Sequence, residues 1–195
     1  MRGFCFVAWI AVTACGHQSH GLVDGHSADL DVYRAVLDSM FTPRSQSSFS
    51  RIAIVDSTEV FQRENTPALI QTLVQVPGVD SAVARDFAAR SYEPHSLKGI
   101  TMLRLRMPVL LLDRRALASL PREDPEKYWT EFYKRFPGTS GLISLSAIGY
   151  SADGERGVLM VDVGCGGLCG NGYIVVAKRD RGRWYLATIH NTWIS

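Results

Sequence analysis

The sequence predicts an α+β fold, with N-terminal helices packed on a C-terminal four-stranded antiparallel meander. Three observations carry that expectation. Apolar residues recur at helical spacing as far as Phe136, the period switches to strand-like alternation from Gly141 onward, and the strand-like runs after that point are joined by short connections. Helices gathered before strands suit a domain in which the helices cover one face of a sheet.

The elements follow in order. Leu30, Tyr33, Val36, Leu37 and Met40 share one helical face, which predicts a helix over residues 30–41. Arg51–Asp56 is short and β-rich and reads as a strand. Thr66-Pro67 supplies an N-cap and a proline at the first helical position, Leu69, Ile70, Leu73 and Val74 form the apolar face, and Pro77-Gly78 ends the helix. Asp80 caps a second helix that runs to about Ser91 and buries Val83, Ala84 and Phe87. Ile100–Met107 alternates, with Arg104 and Arg106 on one side and Leu103, Leu105 and Met107 on the other. That pattern predicts a half-exposed strand broken at Pro108 and continued by Val109–Leu112. One or two helical turns follow over Asp113–Leu120. Asp124-Pro125 opens the clearest helix, which sets Trp129, Phe132, Tyr133 and Phe136 on one face as core and stops at Pro137-Gly138. The four meander strands are Ile143–Tyr150, Gly157–Val163, Tyr173–Lys178 and Trp184–His190, with turns at Asp153-Gly154 and Arg179–Gly182. No internal repeat is visible.

The N-terminus places the chain in a cell. One positive charge at Arg2 precedes the apolar run Phe4–Val12, which is too short to span a bilayer as a helix, since that takes about 20 apolar residues. This is the pattern of an export signal over residues 1–14. Thr13-Ala14-Cys15 directly after the run resembles the lipobox of bacterial lipoproteins. The resemblance implies cleavage before Cys15 and a diacylglycerol on its thiol; an ordinary secretory signal cut at the same place is the alternative. Residues 15–28 then read as a lipidated cysteine and a polar, glycine-rich tether, and 29–195 as one domain. His17, His20 and His26 fall in or beside the tether, where no acid or cysteine joins them, and a solvated linker accounts for them. Lys and Arg total 21 against 19 for Asp and Glu, a balance that gives no reason to expect nucleic acid or an acidic partner. The partner expected is the membrane, through the lipid.

Export also decides how the cysteine segment Val161–Val176 is read. In an oxidising compartment Cys165 and Cys169 are first of all a disulfide. A redox-active pair, half a metal site and two free thiols are the other readings. A thioredoxin-like motif spaces its cysteines by two residues at a helix start, whereas here there are three residues and the flanks are strands. The intervening glycines would allow the positive φ of a tight closure. Zinc would need two more ligands, and the spacing of His95 and His190 supports none, so no metal and no cofactor are expected. A phosphate cradle would open onto a helix, but Tyr173-Ile-Val-Val176 is a strand.

Hydrolytic chemistry has only loose candidates. Ser144 or Ser146, Asp162 and His190 fall in the predicted sheet outside any nucleophile-elbow pattern, so no catalytic residue is assigned. Glu123-Asp124 suits a helix cap. Arg104, Arg106, Arg114 and Arg115 form a cationic stripe that could take an anion, though a solvated strand face and a helix start explain them as well.

Trp129, Phe136-Pro137, Leu145-Ser146, the Cys-Gly-Gly-Leu-Cys-Gly-Asn-Gly-Tyr segment, Trp184 and Trp193 together resemble a group of uncharacterised exported bacterial proteins. The likeness covers about residues 125–195. It implies a unit of one helix plus a β-meander and no activity. The expected function is a lipid-anchored or periplasmic envelope protein acting as a non-catalytic binding or interaction module. The alternative is an exported enzyme, hydrolase-like or thiol-redox, with its site near the glycine-rich cysteine segment.

Overall fold

The computed structural model describes residues 25–43 and 49–195. The expected signal peptide, Cys15, His17 and His20 lie outside them. Among the described residues the chain forms five helices and one seven-stranded sheet. The order is α1 (Gly25–Met40), β1 (Arg51–Val55), α2 (Thr66–Leu73), α3 (Ser81–Arg90), β2 (Val109–Leu112), α4 (Arg114–Ala118), α5 (Pro125–Arg135), β3 (Thr139–Leu145), β4 (Gly149–Tyr150), β5 (Arg156–Gly166), β6 (Cys169–Asp180) and β7 (Arg183–Ile194).

The fold is α+β, but its sheet is larger and more mixed than a four-stranded meander. Strands lie in the order β2-β1-β3-β5-β6-β7, with β4 beside β5. β3, β5, β6 and β7 pair antiparallel, while β1 pairs parallel with both β2 and β3. Ile52–Val55 is a continuous buried apolar run, the pattern of a strand with both faces covered.

Three other expectations need correction. Ile100–Met107 is not a strand: a 3₁₀ turn spans Lys98–Met102 and irregular backbone follows. Its alternation reflects one-sided burial of Leu103, Leu105 and Met107. The Arg106 N–H is taken by the Asp38 carboxylate at 2.7 Å instead of a strand partner. The single strand expected over Ile143–Tyr150 is split at Ser146–Ile148, where the chain bulges against β5. Ser146 stitches that bulge: its N–H donates to the Met160 carbonyl at 3.0 Å, and its hydroxyl accepts the Met160 N–H at 2.8 Å. Finally, the cysteine segment is not a loop. β5 runs through Cys165, only Gly167-Leu168 turns, and Gly166 pairs with Cys169.

Asp80 and Asp124 cap their helices as expected, but Thr66 does not: it is the first residue of α2, whose N-cap is Asn65, and its hydroxyl donates back to the Arg63 carbonyl at 2.6 Å. Asp80 accepts from Ala82 and Val83 N–H at 2.9 and 3.0 Å, and Asp124 from Glu126 and Lys127 N–H at 3.0 and 3.1 Å. These bonds to the ionised form hold both carboxyls below the ordinary aspartate value.

Alternation along the strands sends side chains to two faces. Ile52, Ile54, Ile143, Leu145, Leu159, Val161 and Val175 pack beneath Val32, Tyr33, Val36 and Leu37 of α1. The opposite face is covered in two places. α2 and α3 sit on Val158, Ile174 and Val176, and α4 and α5 sit on Ala53, Val55 and Leu112. Phe87 and Phe132 anchor these two lids, each fully buried and each worth roughly 2–3 kcal/mol by area. Gly149 lets α3 approach, because a Cβ there would overlap the backbone of Phe87.

Candidate functional site

Beside α4 and α5 a part of the sheet stays open. Its floor is Val55 of β1 with Leu142 and Ser144 of β3. Its walls are α4, with Arg114, Arg115, Leu117 and Ala118, the following segment with Arg122, Tyr128 of α5, and Glu59. The cleft holds about 420 Å³, within the range of small-molecule sites. Glu59 is placed by its own backbone, whose N–H donates to the Leu145 carbonyl at 2.8 Å. Arg114 ties this segment down. Its guanidinium reaches the Ser57 hydroxyl at 2.8 Å, the Thr58 carbonyl at 3.0 Å and the Glu59 carboxylate at 3.3 Å. Arg115 and Arg122 are exposed and make no ion pair among the described residues. Burial raises the Tyr128 hydroxyl, and the charge of Arg122 opposes the rise.

The sheet continues from Ser144 to Asp162, its register partner on β5, and from Asp162 to Gly172 on β6 and Trp193 on β7. Trp193 donates its indole N–H to Asp162 at 3.0 Å. Desolvation raises the Asp162 carboxyl, the Trp193 bond opposes this, and the like charge of Glu59 adds to the rise.

The glycines of the cysteine hairpin have a different reason from the one expected. None of Gly164, Gly166, Gly167, Gly170 and Gly172 adopts positive φ. Several of them clear space for tryptophan rings. A Cβ at Gly164 would stand 3.0 Å from Trp129, one at Gly170 would stand 2.8 Å from Trp193, and one at Gly172 would overlap the Trp193 indole. Cys165 and Cys169 lie at disulfide-bonding distance with Cα atoms 5.0 Å apart, inside the usual span. The Tyr133 hydroxyl donates to the Cys165 carbonyl at 2.9 Å and so docks the hairpin on α5. Leu168 at the tip is 91% exposed.

The other sequence candidates disperse. The cationic stripe splits: Arg114 and Arg115 line the cleft, while Arg106 lines a separate 510 Å³ groove between α1 and β7 with Arg34 and Trp184. Ser146 is buried and structural. Ser144 does neighbour Asp162, but His190 stands on the exposed edge strand opposite Ile174, and its ring makes no hydrogen bond among the described residues. The serine, aspartate and histidine therefore do not form a relay. The ring of His95 donates to the Arg90 carbonyl at 2.9 Å. His26 begins α1, its side chain outside the described part. Among the described residues no three His, Cys, Asp or Glu side chains converge as a metal site, and no helix is long and apolar enough to cross a membrane. Of the aromatic face of α5, Phe132 is core, and it is Tyr128, not singled out by the sequence, that reaches the cleft. No protein family, curated protein or solved structure matches the chain.

Proposed function

We propose that this is an exported envelope protein, anchored by a lipid on Cys15 or free in the periplasm, that acts as a non-catalytic binding module and takes a small ligand in the cleft between α4–α5 and the sheet. One observation carries the reading: beside α4 and α5 the floor of Val55, Leu142 and Ser144 and the polar walls of Glu59, Arg114, Arg115 and Arg122 converge on one concave space. The polar groups beside it support binding over chemistry. Glu59 is paired with Arg114, Asp162 is held by Trp193, and neither activates Ser144.

The experiment is native mass spectrometry of the full-length protein extracted from envelope membranes. The expected result is a bound small molecule that is absent from Ala118→Trp, in which an indole fills the cleft mouth. An identical adduct on both forms removes the cleft as the site.

The enzyme alternative keeps one supporting observation, the Cys165–Cys169 pair beside an exposed hairpin tip. It requires thiol exchange with a model dithiol at a rate lost in Cys165→Ser.

A further inference from the structure

We infer that the ligand of this cleft is a small organic anion: a carboxylate, phosphate or sulfonate group joined to a flat apolar body of one or two rings. The inference rests on the cleft being the binding site proposed above and adds the chemistry of what fills it.

The charges of the cleft leave a positive excess. Four charged groups line the cleft besides its apolar floor: Glu59, Arg114, Arg115 and Arg122. Arg114 and Glu59 are paired at 3.3 Å and cancel. Arg115 and Arg122 are left without a counter-ion among the described residues. They arrive from different places, Arg115 from α4 and Arg122 from the segment ahead of α5, yet both line the same concavity. Two guanidinium groups on one cleft offer planar, multiply donating partners for an anionic head.

The remaining lining fixes the rest of the ligand. Tyr128 presents a half-buried ring and Leu142 partly exposed aliphatic surface, with Val55 and Leu117 buried behind them. An aromatic or similarly flat body satisfies both. Ser144 on the floor supplies one hydroxyl for a polar substituent. A bare inorganic anion would leave the apolar floor unused, and a neutral apolar molecule would leave both arginines unanswered.

The test uses two fluorescent probes with related ring systems and the full-length protein. 8-Anilinonaphthalene-1-sulfonate carries the anion; N-phenyl-1-naphthylamine lacks it. The expected result is saturable sulfonate binding at one site, at least tenfold tighter than the neutral probe and weakened as salt rises, with the neutral probe insensitive to salt. Arg115→Gln/Arg122→Gln is expected to weaken the sulfonate tenfold or more and leave the neutral probe within twofold, with Arg115→Lys/Arg122→Lys in between. Ala118→Trp is expected to weaken both probes. If Ala118→Trp weakens both while the double glutamine variant and salt change neither, the cleft stands and the anion inference is overturned. If Ala118→Trp changes neither, the cleft reading itself fails. Absence of saturable sulfonate binding overturns the inference as well. The salt series needs no variant and decides the matter even if one of them misfolds.

Discussion

Trp193 lies across the bare backbone of Gly172 to donate its indole N–H to Asp162 at 3.0 Å, joining edge strand β7 to β5 over the top of β6. A side chain at position 172 is incompatible with that contact. Gly172→Ala is therefore expected to expel the ring and destabilise the domain by about 1–3 kcal/mol, the usual cost of overpacking. Urea unfolding followed by tryptophan emission checks this. Trp193→Phe, which loses the hydrogen bond and keeps the ring, should cost less than Gly172→Ala, and the reverse order would place the strain elsewhere.

The same aspartate gives the domain a pH dependence of definite sign. Its folded value is raised above the ordinary 3.8, chiefly by desolvation, so the folded state holds its proton longer than the unfolded chain does. Below the ordinary value both states are protonated and there is no penalty. As pH rises through the raised value, the folded state must bear a half-buried charge, and stability from this group falls. Asp162→Asn, which still accepts from Trp193, is expected to gain on the wild type as pH rises from about 4 to 7. Parallel stability curves would contradict the assignment.

Closing the Cys165–Cys169 ring should contribute about 2 kcal/mol by loop entropy. Alkylation and mass measurement of the non-reduced exported protein should find neither residue modified. Cys165→Ser/Cys169→Ser should lower the urea midpoint accordingly and loosen the tip around Leu168. Full labelling of both thiols in the exported protein would refute the bond.

The anchor is tested by palmitate incorporation in a bacterial host. Label is expected on the wild-type protein and absent from Cys15→Ser, with the wild type pelleting with membranes. Equal labelling of the two forms would rule out lipidation at Cys15.

What the sequence made legible is local. Asp80, Asp124 and Pro125 announced their helices because caps act within one turn, and the aromatic spacing of α5 named Phe132 as core. The parallel pairing of β1 with β2 and β3 was not legible, because Ile52–Val55 and Val109–Leu112 carry hydrophobicity but no mark of their partner. Leu103, Leu105 and Met107 alternated like a strand since any extended segment buried on one side must do so.

The cleft was only half visible. Nearness in sequence groups Arg114 and Arg115 with Arg104 and Arg106. Glu59, Arg122 and Tyr128 carry no mark in the sequence because they meet only when α4 and α5 fold over β1 and β3. The glycines did carry a readable signal. Gly170 and Gly172 stand two apart on β6, so both bare positions fall on the face that the Trp193 ring of β7 occupies.

The binding site we propose is the cleft between α4–α5 and the sheet. Amide chemical-shift mapping on the full-length protein in detergent, titrated with 8-anilinonaphthalene-1-sulfonate, tests it most directly. Shifts are expected only at Arg114–Ala118, Arg122, Tyr128, Leu142 and Ser144. Shifts confined instead to Arg34, Arg106 and Trp184, in the groove between α1 and β7, would contradict it.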